Sequence, residues 1–478
     1  MKRKINYTHI AEPTVFENVF PTYLTNETMM ARKQKVLQRM ETEKFDQLVF
    51  YADKEHGSNF EYLTGFIPRF EEGLLVLNKD GMATLILGNE NLKLCQHARI
   101  SADLIHYPAF SLPNQPMDGE QKLSQIFETL LDETAQKIGI VGWKMFTTQQ
   151  QEPATMFDVP HFIVEALKKA LPKEARLLNG THLLIGAKGA RTTNNANELA
   201  HYEYGANLAS RSMLKALNAI EVGQRETDIG ALLNDEGQMP TVVTIAATGQ
   251  RFEYANMYPT AKEIQLGDAL SLTTGYKGGL SSRTGFVIEN EQQLPEAQRD
   301  YLERVAKPYF QAVVHWLETI RIGLLGREMY QAIEEQLPKE IYHWHLNPGH
   351  LVSDDEWMSS PIYPDSAIRL ESGMLFQVDI IPSVPGYTGV SAEECVALAN
   401  ETLQKEIQQT YPDMWQRIAT RKAYLKETLK IDLPSEVLPM SNLVGYLRPF
   451  YLAKDKALCV EKPRSEERRV GKECRSRW

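Results

Sequence analysis

Gly267-Asp268-Ala-Leu-Ser-Leu-Thr273-Thr274-Gly275, followed by Gly278-Gly279-Leu280-Ser281-Ser282-Arg283-Thr284, is the stretch whose reading decides the fold. It lies where the hydrophobic pattern, from residue 240 onward, turns to strands. Two further polar segments close apolar runs downstream. One is Asn347-Pro348-Gly349-His350, and the other runs from Gly373-Met374-Leu-Phe-Gln-Val378-Asp379 to Ala392-Glu393-Glu394. Widely separated acids and a histidine, each at the end of an apolar run, are how a β-rich domain gathers metal ligands.

Working outward, 478 residues suffice for two domains or three. A hydrophobic content of 43% with 24% charged residues is that of a soluble globular chain. The formal charge of −10 and pI near 5.7 argue against a nucleic-acid partner, because no basic face neutralises phosphates. No apolar run approaches a membrane span, and no apolar segment follows the basic start Met1-Lys-Arg-Lys, so neither a membrane nor a secretory signal is expected. Cysteines at 95, 395, 459 and 474 form no framework, which suits a reducing cytoplasm.

The segment 464–478 (Arg464-Ser-Glu-Glu-Arg-Arg-Val-Gly-Lys-Glu-Cys474-Arg-Ser-Arg-Trp478) breaks abruptly in composition. It reads as an in-frame translation of a sequencing-adapter oligonucleotide and is expected to be disordered. It holds six Lys/Arg and three Asp/Glu, so excluding it moves the net charge to −13.

The spacing of Met30, Lys33, Val36, Leu37 and Met40 predicts an amphipathic helix over 27–44. Strands are expected at 47–51 and 137–141, a helix at 120–136, and a hairpin at 74–87 turning on Asp80-Gly81. Residues 25–185 therefore read as an α/β domain. The Gly/Thr/Asn-rich break 186–196 ends it, and Asn194 or Asn195 caps a helix running to Ile220. Helices are expected at 296–319, 326–336 and 402–430, with strands between.

Asn59-Phe-Glu-Tyr62-Leu63-Thr64-Gly65-Phe66, the helix opening after Arg191, Gly267-Asp268 with Gly275, Pro348-Gly349-His350, Gly373-Met374 and Met440-Ser-Asn-Leu-Val-Gly445-Tyr-Leu-Arg-Pro449-Phe450 together resemble the aminopeptidase P/creatinase family, in its order, from about 30 to 460. The resemblance implies an α/β two-domain chain: a creatinase-like N-terminal domain (25–185) and a C-terminal pita-bread α+β domain (192–430) extended by 431–463. It also implies a homodimer. Peptidases of this family hold two divalent metals with two Asp, one His and two Glu, and the paired ions activate water and polarise the scissile carbonyl.

Carried over position by position, the resemblance puts Thr273 and Leu280 where the two Asp belong, so the di-metal site is expected to be lost. His350 and Glu393 match their ligands, and Asp379 stands one methylene short of the other Glu. Asn256, Leu346 and Trp357 replace three further histidines. The candidate catalytic residues are His350, Glu393 and Asp379; Arg283, His345 and Asn256 are candidate substrate-binding residues.

His350 reads either as an inherited hydrogen-bonded histidine or as a working acid/base. Asp379 and Glu393 sit among apolar neighbours and need a cation, Arg283 or His350. An internal network of these four is the economical arrangement. No cofactor is then expected, the alternative being a single divalent metal on His350, Asp379 and Glu393. Asp354-Asp355-Glu356 reads as a solvated loop. The chain is accordingly expected to be a metal-independent C–N hydrolase of a small molecule or short peptide, or a non-catalytic ligand-binding paralogue. The alternative is an active metal-dependent Xaa-Pro aminopeptidase or dipeptidase.

Overall fold

The computed structural model describes residues 3–253 and 257–461. Asn256 and the segment 464–478 lie outside them.

In chain order the first part comprises β1 (Ile5–His9), α1 (Asn26–Glu43), β2 (Gln47–Ala52), α2 (Ser58–Thr64), β3 (Gly73–Asn78), β4 (Ala83–Leu87), β5 (Asp103–His106), α3 (Leu123–Leu130), β6 (Lys137–Val141), α4 (His161–Ala170), β7 (Arg176–Asn179) and α5 (His182–Ile185). The rest comprises α6 (Ala196–Ala219), α7 (Glu226–Ala231), β8 (Ile245–Thr248), α8 (Gln250–Glu253), β9 (Ala269–Tyr276), β10 (Gly279–Phe286), α9 (Lys307–Thr319), α10 (Gly326–Gln336), α11 (Lys339–Tyr342), β11 (His350–Leu351), β12 (Leu375–Gln377), β13 (Ser391–Glu393), β14 (Cys395–Leu398), α12 (Glu401–Thr410), α13 (Pro412–Tyr424), β15 (Val437–Pro439) and β16 (Lys456–Val460).

The first part is a six-stranded mixed sheet, ordered β5-β4-β3-β2-β6-β7. Both faces are covered. Leu48, Phe50, Leu75 and Leu77 pack with Val36 and Met40 of α1, while the alternate residues Val49, Tyr51, Leu74 and Val76 pack with Phe127 of α3 and Leu167 of α4. The β3–β4 pair turns with Gly81 at φ 88.

Two sequence expectations are corrected. The buried stripe of α1 is Met29, Arg32, Val36 and Met40; Met30 is exposed. Arg32 belongs inside because Glu198 of α6 neutralises it at 2.7 Å. Helix α3 ends at Leu130, where Leu131 turns extended and the Asp132 carboxylate accepts from the Thr134 N–H in a local turn. The helical segment expected over 402–430 is present but divided at Pro412, which cannot continue α12.

The second part is built on α6. Asn195 caps it, and Glu198 completes a capping box. Against it lie two antiparallel four-stranded sheets, β13-β10-β9-β8 and β11-β12-β14-β15. The chain leaves the first sheet at Glu393 and enters the second at Cys395, so the seam between the sheets passes through Glu394. The Gln377 amide pairs with both the N–H and C=O of Leu280, docking the second sheet on the first. β16 returns to pair with β1. Among the described residues no helix is long and apolar enough to cross a membrane.

Candidate functional site

Directly opposed residues of an antiparallel pair share a face. Glu393 opposes Ser282, and Ser282 opposes Thr273, so these three form one row across β13, β10 and β9. Leu280, two residues before Ser282, is on the same face. The row carries one carboxylate only. Thr273 Oγ1 and Ser282 Oγ bond each other at 2.9 Å, and Leu280 is buried.

The opposite face of β10 bears Ser281 and Arg283, and there Glu394 meets them. Arg283 Nη2 lies 2.9 Å from Glu394 Oε1, and Ser281 donates to the same oxygen. Arg283 also donates to the carbonyls of Ser282, Glu393 and Leu443. The network expected between Arg283 and Asp379 or Glu393 is therefore corrected: the period of two turns Arg283 away from them. Buried and internally paired, it is not available to hold a substrate carboxylate.

His350 opens β11 opposite Gln377. Its position is set by Gly349, whose φ of 112 only glycine adopts readily, and by Trp316 Nε1, which donates to Pro348 O at 2.7 Å. The imidazole Nδ1 bonds Leu351 O at 3.2 Å, which turns Nε2 toward three carboxylates. Glu356 Oε1 stands 3.5 Å away, and Asp379 Oδ2 and Glu393 Oε1 each stand at 3.9 Å. The Trp357 indole stacks on the imidazole at 5.2 Å and 28°.

Among the described residues, His350 Nε2 and Asp379 Oδ1 are buried without a hydrogen-bond partner. Burial drives the Asp379 carboxyl well above its usual range, and Glu393 pushes it further. Glu393 is raised by burial and by Glu356, and Glu356 by burial against the opposing pull of His350. Buried acids whose mutual repulsion and burial outweigh the pull of the nearby imidazole favour a positive ligand.

Atoms of His350, Glu356 and Glu393 lie within 4.8 Å of one another, close enough to converge on one ion. One imidazole and two or three carboxylates suit a borderline or hard divalent cation. The residues present fit one such ion, with Asp379 adjacent. They do not fit two, because the strand face that would complete a second site offers a satisfied hydroxyl pair and a leucine.

The loop Asp354-Asp355-Glu356, expected to be solvated, is instead paired with the protein interior. Asp354 is buried, accepts from Tyr202 Oη at 3.0 Å and is held at a pKa of about 2, where the pull of Lys277, Arg32 and Arg191 outweighs burial. Asp355 pairs with Arg191, and Glu356 faces His350. A run of acids gives no sign in sequence of cations brought from α1, the linker and β9. His345, by contrast, is exposed beside buried Trp344 and is not brought to His350.

Residues 200–400 match the model of metallopeptidase family M24. Among solved structures, the chain is similar to an Xaa-Pro dipeptidase from Bacillus anthracis, at 17% identity and a TM-score of 0.60 over 78% of this chain and 96% of that one. It is also similar to a prolidase from Thermococcus sibiricus (18%, TM-score 0.61, 79% and 96%) and an X-Pro aminopeptidase from Thermotoga maritima (16%, TM-score 0.58, 77% and 95%). No curated protein matches. The M24 match covers residues 200–400, and the chain as a whole has the two-domain α/β fold of these Xaa-Pro peptidase and prolidase structures.

Proposed function

We propose that this protein has lost the two-ion centre of its family and keeps a single-cation site on His350, Glu356 and Glu393, acting on a C–N bond of a short peptide or small molecule. One observation carries the reading: a buried imidazole nitrogen with no hydrogen-bond partner among the described residues faces the buried carboxylates of Asp379 and Glu393 and the partly buried one of Glu356. A divalent cation held there supplies Lewis acidity toward a carbonyl oxygen. Trp357 shields one face of His350 from water, and Asp379, not needed as a ligand, is the group free to take up or return a proton.

A second reading, a metal-free hydrolase or ligand-binding paralogue centred on His350, is favoured by the Nδ1 bond to Leu351 that orients the ring without a metal. The same proposal takes the protein as a cytoplasmic homodimer without nucleic-acid or membrane partners; the free thiols Cys95, Cys395 and Cys459 support the reducing setting.

The test is metal analysis of protein purified with Mn²⁺, with Xaa-Pro peptides and small amides assayed with and without chelator. One ion per chain supports the single-cation reading. None, with chelator-insensitive turnover or binding, supports the second. Two ions with chelator-sensitive cleavage would overturn both.

A further inference from the structure

We infer that Arg191, in the linker before α6, is a positioning residue that sets Glu356 and Trp357 on His350; the inference rests on the single-cation reading above. Its Nη2 donates to Ser353 Oγ at 2.8 Å and to the Asp355 carboxylate, gripping the loop at two points. Its Nη1 donates to Asn59 Oδ1 of α2 at 2.7 Å. The backbone of Arg191 is itself held, its N–H donating to Leu184 O at 2.9 Å. The loop is closed further by Ser353 N–H to Asp355 O at 3.0 Å and Gly278 N–H to Ser353 O at 2.7 Å.

The residue after this clamp is Glu356 and the next is Trp357. Each contacts His350 from the loop between Ser353 and Met358, whose far end is tied by Met358 N–H to Leu351 O at 3.0 Å, so the direction of both side chains depends on the backbone at 353–355. Asp354 and Asp355 are adjacent like charges. Remove the guanidinium and Asp355 loses its cation, which favours its swing toward water and carries Glu356 off the imidazole. A lysine would keep the charge without the two-point fork. The first domain thereby acts on the site of the second through one arginine.

The experiment compares the full chain with R191K, R191M and D355N, using Mn²⁺ alone as probe. Calorimetry gives the affinity. Acrylamide quenching of Trp357, taken as the difference from matched W357F proteins, reports its stacking, and circular dichroism checks the fold. R191M and D355N should keep the fold, bind Mn²⁺ about 10- to 100-fold more weakly and raise the quenching of Trp357 above that of its already half-exposed wild-type position, with R191K between them and the wild type. Unchanged affinity and unchanged quenching would overturn the inference. Should R191M not fold, D355N, whose side chain is partly exposed, decides alone. Should the wild type bind no Mn²⁺, the single-cation reading fails, and quenching still decides the positioning: a rise supports it and no change sinks it.

Discussion

The Thr273 hydroxyl lies 2.9 Å from that of Ser282, its cross-strand partner, and the two satisfy each other on the strand face that also carries Glu393. Together with buried Leu280 on the same face, this pair leaves Glu393 as the one carboxylate of the row.

Replacing Leu280 with Asp puts an unpaired carboxyl on that buried face. We expect L280D to lose about 2–5 kcal/mol in chelator. Part of that loss should return with Mn²⁺, as an added acid draws the cation. A thermal melt with and without Mn²⁺ checks both; an L280D protein as stable as wild type in chelator would contradict the placement.

Asp379 sits beside Glu393 and His350 with one oxygen unpartnered. Ionised, it costs stability through burial and repulsion, so D379N should stabilise the metal-free protein by about 1–3 kcal/mol. Denaturant titration in chelator reads the sign, and destabilisation would contradict the arrangement.

Gly349 has φ 112, and a Cβ on it would lie 3.1 Å from both Gln377 O and the Trp316 ring. G349A should cost about 1–3 kcal/mol, because strain and crowding act together. It should also displace His350, so that Mn²⁺ binding weakens beyond what the melting temperature alone would suggest. Calorimetry on the folded variant tests this.

Glu226 is fully buried away from the site. Burial raises its carboxyl, but donors from Thr260 and Thr248 outweigh it and hold it below its ordinary 4.5. A depressed carboxyl contributes stability above its unfolded value, and that contribution is lost as pH falls through the folded one. E226Q should therefore be about 3 kcal/mol less stable at pH 7. The gap to wild type should narrow below about pH 4.5. Melting temperatures from pH 7 to 3.5 measure it; a gap independent of pH would remove the carboxylate from the account.

Order and local chemistry were legible in the chain. Apolar period, Asn195 with Glu198, and the Asp80-Gly81 turn are local signals, and they foretold α6, the β3–β4 hairpin and the alternation of helices and strands. The meeting of His350, Asp379 and Glu393 followed from resemblance, since each ends an apolar run in the family's order. Local signals failed where a charge is neutralised from afar: Arg32 on the buried stripe of α1, and Asp354 inside a loop of acids.

The residue types at 273 and 280, a threonine and a leucine, are fixed in the chain whatever the packing, and so is the absence of a carboxylate there. Only the tertiary structure decided that Arg283 turns to Glu394, that His345 stays outside, and that Glu356 joins His350. The reason is range. A residue's type and strand parity are properties of a few neighbours, whereas a buried charge takes whichever partner the folded chain brings within about 4 Å, and that partner lies up to hundreds of residues away.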